Sequence, residues 1–121
     1  MATVENLIER AKALGLPIAN REFEETEETP IPSPPYLVYL IPHERHRGAD
    51  AVNNIREIDF SLELYTDTFD TKRESLEAQV ENKVLFDVQA EKYVANVDGE
   101  NMVQSAWEVP GLVQKKKGAM K

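Results

Sequence analysis

The chain's two histidines stand three apart, His43 and His46, with Glu44 between them. Imidazole nitrogens and a carboxylate are donors that suit zinc, but a site needs a third ligand and a rigid frame. Arg45 and Arg47 are interleaved with them, and cations oppose the binding of another cation. The stretch "HERHRGADAVNN" therefore reads as a long polar loop, locally basic on an acidic chain. Its His43, Arg45, His46 and Arg47 suit contact with an acidic surface on a partner. A small metal-dependent hydrolase built on His43, His46 and nearby acids is the alternative that this cluster leaves open.

Carboxylates are plentiful. Glu57, Asp59 and Glu63 line up at period-two spacing, and paired carboxylates in a cleft can do acid–base work. Here they fall on what reads as a flat, wet strand face with Arg56 as the near cation. Ser33, Ser61, Ser75 and Ser105 fall in a connector, a strand, a helix and a strand, none of them on a nucleophile turn. Five glycines in the whole chain leave little for a loop that cradles phosphate. The expectation is a protein with no catalytic site, no cofactor and no metal.

These residues need elements to hold them. With 121 residues the chain is long enough for one domain and one core. Its net charge of −8 argues against general nucleic-acid binding, which needs lysine and arginine to displace phosphate counterions. With no cysteine, disulfides and thiolate metal sites are excluded. The first residues carry spaced charges where an export signal would be apolar, and no apolar run nears the roughly 20 residues that cross a bilayer. Synthesis and use in the cytoplasm, without a membrane, are expected.

Val4, Leu7, Ile8, Ala11 and Leu14 follow helical spacing, and the spacing predicts a helix over residues 4–14. Thr3 serves as its N-cap, Glu5 sits in its first turn, and Gly15 followed by Pro17 ends it. Residues 20–35 contain "REFEETEETPIPSPP", an acidic, proline-rich connector. A solvated loop is its plain reading, and an acidic arm that meets a basic partner is the functional one. Residues 36–41, "YLVYLI", are a first strand, apolar on both faces. Ile58, Phe60, Leu62 and Leu64 alternate with polar residues in a half-buried second strand. Thr71 and Glu74 have capping-box spacing, and Leu76, Val80 and Lys83 or Val84 give the second helix a narrow apolar stripe.

Val84, Phe86, Val88 and Ala90 alternate, so a strand is expected to begin there. Asp98-Gly99 signals a two-residue type I′ hairpin. In the last strand Val103, Trp107 and Val109 point one way and Met102 and Ala106 the other, with Pro110 limiting its pairing. Residues 114–121, "QKKKGAMK", form a flexible basic tail. No internal repeat is evident. The result is a single α+β domain over residues 1–113. It has two layers, with a four-stranded antiparallel or mixed sheet and two helices on one face, in the order α-β-β-α-β-β. Helices on one face cover one row of the first strand and leave the other row for a second subunit. Tyr36, Tyr39, Ile41, Tyr65 and Trp107 are the subunit-interface candidates.

"PPYLVYLIP", a polar loop, "IREIDFSLELYTDTFD", "RESLEAQVENKV" and "NMVQSAWEV" together resemble small tail-completion proteins of long-tailed phages and prophages. They are similar to tail terminators that join tail to head. The resemblance covers about residues 30–110, and "PYLVYL" and "LELYTD" are its most specific parts. It implies a structural virion protein at the head-proximal end of the tail. Such a protein forms a ring, usually six-fold, that stops growth of the tail tube and meets the head connector. The implied partners are further copies of itself, the tail-tube protein and the head-connector protein, with DNA only in transit. In such a ring Glu57, Asp59 and Glu63 are lumen-facing candidates, where their charge would repel passing DNA. A head-completion or neck adaptor is the alternative within the virion.

Overall fold

A computed structural model of the chain describes residues 2–47 and 55–115. The elements run α1 (Val4–Lys12), β1 (Ile18–Asn20), β2 (Tyr36–Arg47), β3 (Ile55–Asp67), α2 (Arg73–Gln79), a π-helical turn (Val80–Val84), β4 (Glu91–Val97) and β5 (Met102–Lys115). They form an α+β domain with a five-stranded mixed sheet in the order β1-β2-β3-β5-β4. β1 pairs parallel to β2, and the other pairings are antiparallel.

The expected sheet had four strands, so β1 is a correction. Three residues after a proline give too short a pattern to read. They are held by pairing, with Leu37 N–H donating to the Pro17 carbonyl and Arg21 N–H to the Tyr39 carbonyl, both at 2.8 Å. Parallel neighbours need a crossover of about a dozen residues. The acidic connector supplies it.

α1 begins where expected. Asn6 N–H donates to Thr3 Oγ1 at 3.2 Å, and Thr3 N–H donates to Asn6 Oδ1 at 3.0 Å, a reciprocal cap. The helix buries Val4, Leu7 and Ala11. α2 departs from expectation. Its N-cap is Lys72, without a side-chain cap, so the Thr71–Glu74 capping box does not form. Asp70 Oδ1 instead accepts from Lys72 N–H at 2.7 Å. The expected strand from Val84 is absent too. Val84 closes the π-helical turn, and β4 starts at Glu91. The buried Val80 and Val84 keep the chain turning against α1. The Asp98-Gly99 signal lies in a four-residue loop, because Val97 pairs with Met102.

Both helices lie on one face of the sheet. Leu7, Ala11, Val80 and Val84 pack there on Leu37, Ile58, Phe60, Leu62, Leu64, Trp107 and Val109. Alternation along β3 and β5 thus sorts as read from sequence, with Ile58, Phe60, Leu62, Leu64, Val103, Trp107 and Val109 buried. Trp107 is 2% exposed. Its ring belongs to the core and is closed to a second subunit, which corrects its place among the interface candidates. Tyr39 and Ile41 also turn toward this core, Tyr39 stacked on Phe60 with ring centroids 6.2 Å apart.

The largest correction concerns β2. Residues 43–47 were expected in a loop, yet they continue the strand. Pro42 has no N–H to give the ladder, and pairing slips by one residue between Leu40↔Ser61 and His43↔Asp59. β5 slips in the same way between Phe60↔Val109 and Ile58↔Leu112, at Pro110 and Gly111. Pro110 therefore interrupts the ladder without ending the strand, which runs on to Lys115 instead of stopping at residue 113. Gly111 takes φ 68°, a left-handed conformation that favours glycine. Residues 48–54 of the expected loop and 116–121 of the expected tail lie outside the described residues.

Candidate functional site

The helix-free face of the sheet gathers most of the residues singled out by sequence. It has two ends of different character, divided at the level of the two slips in register.

At one end lies a cross-strand charge ladder. Arg45 Nη2 is 3.0 Å from Glu57 Oε2 and 3.6 Å from Asp59 Oδ1. His43 Nδ1 is 3.4 Å from Asp59 Oδ2 and 3.0 Å from Arg45 Nη1. Gly111 N–H donates to Asp59 Oδ1 at 2.9 Å. This backbone donor, followed by Arg45 and His43, holds the Asp59 carboxyl below the usual carboxylate range. A shallow pocket of about 180 Å³ adjoins it, lined in part by Pro42, Ser61, Glu108 and Pro110.

His46 lies on the other side of the strand. Three residues apart in an extended chain means opposite faces, and His43 opposes Asp59 while His46 opposes Arg56. His46 Nε2 is 3.1 Å from Glu44 Oε2, and Arg56 Nη2 is 2.8 Å from Glu44 Oε1. The Arg56 hydrogen bond, then His46, lowers the Glu44 pKa. The two histidines therefore do not converge on one ion. Among the described residues no three His, Asp or Glu side chains are grouped to hold a metal. The side chain of Arg47 lies outside the described residues.

Glu57, Asp59 and Glu63 do share the helix-free face. The expectation that Arg56 was their near cation is overturned: Arg56 turns to Glu44, and Arg45 and His43 approach from β2. Glu63 accepts from Tyr65 Oη at 3.0 Å.

The other end is an aromatic groove. Tyr36 and Tyr65 stack with centroids 5.1 Å apart, and Phe23 meets Tyr36 edge-on at 5.1 Å. Gln104 Nε2 donates to Tyr65 Oη at 2.9 Å. Burial, then the charge of Glu63, pushes the Tyr65 phenol up to about 12. Burial, then Glu100, raises that of Tyr36. The groove encloses about 300 Å³, with Phe23 and Ile31 from the connector on one side and Val97 and Met102 on another. Val38, also in its lining, is 5% exposed. The connector thus gives the second row of β2 part of the cover expected from another subunit. Phe23 and Ile31 were missed in the sequence. Their signal was two large apolar residues inside a run of glutamates and prolines.

A third feature is the edge strand β4. Every residue from Glu91 to Asn96 is exposed, so both faces are open. Tyr93 is 52% and Val94 56% exposed. Lys92 alone among them reaches toward the helices, with Nζ 2.7 Å from Glu77 Oε1 and 3.4 Å from Glu81 Oε2. Ser105 Oγ donates to Glu77 Oε2, and Trp107 Nε1 donates to Glu81 Oε2 at 3.1 Å. Burial works against the Glu77 charge, but the Lys92 and Ser105 hydrogen bonds outweigh it and hold its pKa low.

Compared with models of known protein families, the chain matches none, and no curated protein matches it. Among the described residues no helix is long and apolar enough to cross a membrane.

Proposed function

We propose that the chain is a structural virion subunit, a tail terminator that joins a phage tail to its head as an oligomeric ring. The reading starts from the resemblance carried by "PYLVYL" and "LELYTD". The observation that supports it most is β4, an edge strand that the described residues leave open on both faces and along its outer backbone edge, with Tyr93 and Val94 exposed. Monomeric proteins blunt such edges with proline, clustered charge or a covering loop. A subunit that adds a neighbour leaves the edge open.

The function is association, with no bond made or broken. A ring needs a head-to-tail interface whose rotation closes, and a hexamer is what the resemblance implies. Tail-tube and head-connector proteins would meet its two ends. The lumen assignment rests mainly on Glu63 and Glu108, because Arg45 offsets the charge of Glu57 and Asp59.

Native mass and negative-stain imaging, with and without tail-tube protein, test this reading. Closed rings on tube ends are expected. A monomer that stays single with tube protein present overturns it. Localising the subunit in purified virions separates a terminator, at the tail end, from a head-completion adaptor, at the portal.

A further inference from the structure

We infer that the aromatic groove is the dock for residues 116–121 of a second copy of this chain. The argument joins the groove's lining, the charge around it and the place where β5 ends.

The groove is apolar and open to a side chain. Phe23, Tyr36 and Tyr65 give it ring faces and edges, and Ile31, 47% exposed, stands at its side. Phe23 and Ile31 belong to a connector whose turn is closed by Thr26 N–H donating to the Thr29 carbonyl at 3.0 Å. That turn carries Glu24, Glu25, Glu27 and Glu28, all exposed. Glu22 and Glu100 line the groove itself beside a single cation, Arg21, so with the turn's four glutamates the surface is acidic on balance. An occupant matching this surface combines several cations with one flexible apolar side chain.

Residues 116–121, "KKGAMK", have that composition. Lys116, Lys117 and Lys121 match the glutamates. Met120 matches the rings, since a thioether packs well on aromatic edges and adapts to an irregular groove. Glycine and alanine between them allow close approach to a crowded surface.

The occupant must come from another molecule. β5 is fourteen residues long, and Met102, at its first residue, lines the groove. At about 3.3 Å per residue its last residue lies roughly 40 Å away. There Gln114 accepts from Val4 N–H at 3.2 Å, beside the start of α1. Six further residues extend at most about 21 Å. They fall well short of their own groove and reach that of a neighbour. Two different patches then meet, a head-to-tail contact that can close into a ring or run on as a chain. The inference stands on this geometry and needs no particular ring order.

The cysteine-free chain allows a direct test. Two single variants of the full chain, Ile31→Cys and Met120→Cys, are mixed under mild oxidation. A mixed disulfide dimer is expected to outnumber either symmetric dimer by about tenfold. Changing Glu24, Glu25, Glu27 and Glu28 to Gln in the Ile31→Cys partner should lower its yield by roughly tenfold, the order that three surface ion pairs supply. These glutamates are exposed, so the change spares the fold. A peptide of residues 114–121 should compete, and a scrambled peptide of the same composition should not.

Equal yields of mixed and symmetric dimers overturn the inference. So does a scrambled peptide that competes as well, which would mark the groove as a dock for any basic partner. A double variant, Ile31→Cys with Met120→Cys, that closes on itself as a monomer at every dilution overturns the intermolecular assignment. Closed rings without the mixed disulfide would overturn this docking and leave the ring reading standing. The disulfide in open chains would do the reverse.

Discussion

The two faces of one sheet solve burial differently. The helix-covered face is an apolar core with ion groups at its borders: Glu77, Lys92 and Glu81, with Ser105 and Trp107 donating into them, and Glu44 with Arg56 and His46 toward the end of β2. The other face has no helix over it among the described residues. It relies on the connector at its aromatic end and on paired charges at its ladder end. The same period-two alternation runs through both, so alternation settles which residues share a face but not what happens to that face. Substitutions should therefore damage the two faces very unequally.

Trp107→Ala is expected to be the most severe, because it empties a fully enclosed site and strips Glu81 of a donor. A loss of about 3–5 kcal/mol should appear as a lower urea midpoint. Glu77→Gln comes next, at about 2–4 kcal/mol, since Lys92 and Ser105 keep their places around a neutral side chain. It also has a pH signature. The folded pKa of Glu77 lies below its unfolded value of about 4.3, so its contribution is complete above that value and is lost as pH falls through the folded one. Thermal unfolding followed from pH 7 to 3 should fall less steeply in Glu77→Gln than in the parent chain.

Gly111→Ala is a smaller and cleaner test. An added Cβ meets nothing within 4 Å, and only the φ of +68° opposes it. About 1–2 kcal/mol is expected, read from the urea midpoint. On the helix-free face Phe23→Ala should cost about 0.5–1.5 kcal/mol through the lost edge-on contact with Tyr36. Arg45→Ala closes the series with the smallest shift of the urea midpoint, because its side chain is 48% exposed and its pairs face water. An Arg45 effect as large as that of Glu77 would remove the contrast between the faces.

How far sequence carried the reading follows the same contrast. Where one row is apolar and the other polar, as in Ile58, Phe60, Leu62 and Leu64, the strand, its faces and its core side were legible. The α1 cap at Thr3 was legible because capping is local. Residues 43–47 were not, because charged residues on both rows of a strand have the composition of a loop, and only the partners on β3 reveal the pairing. β1 failed for shortness, and Val84 to Ala90 failed because burial against α1 overrode an alternating pattern. Of the interface candidates, Tyr36 and Tyr65 line the groove on the helix-free face. Tyr39, Ile41 and Trp107 went to the core, and the connector residues that complete the groove went unread.

β2 and β5 flank an unbroken β3, and each gains one residue at the same level, at Pro42 and at Pro110–Gly111. Each extra residue acts as a parity switch. Odd-numbered residues of β2 face the helices before it, as Leu37 and Tyr39 do, and even-numbered ones after it, as Glu44 and His46 do. Deleting a single residue there would leave the composition almost untouched and exchange His43 and Arg45 for Glu44 and His46 on the helix-free face. Asp59 would lose Arg45 and His43 together. In this chain a one-codon deletion is a charge reversal.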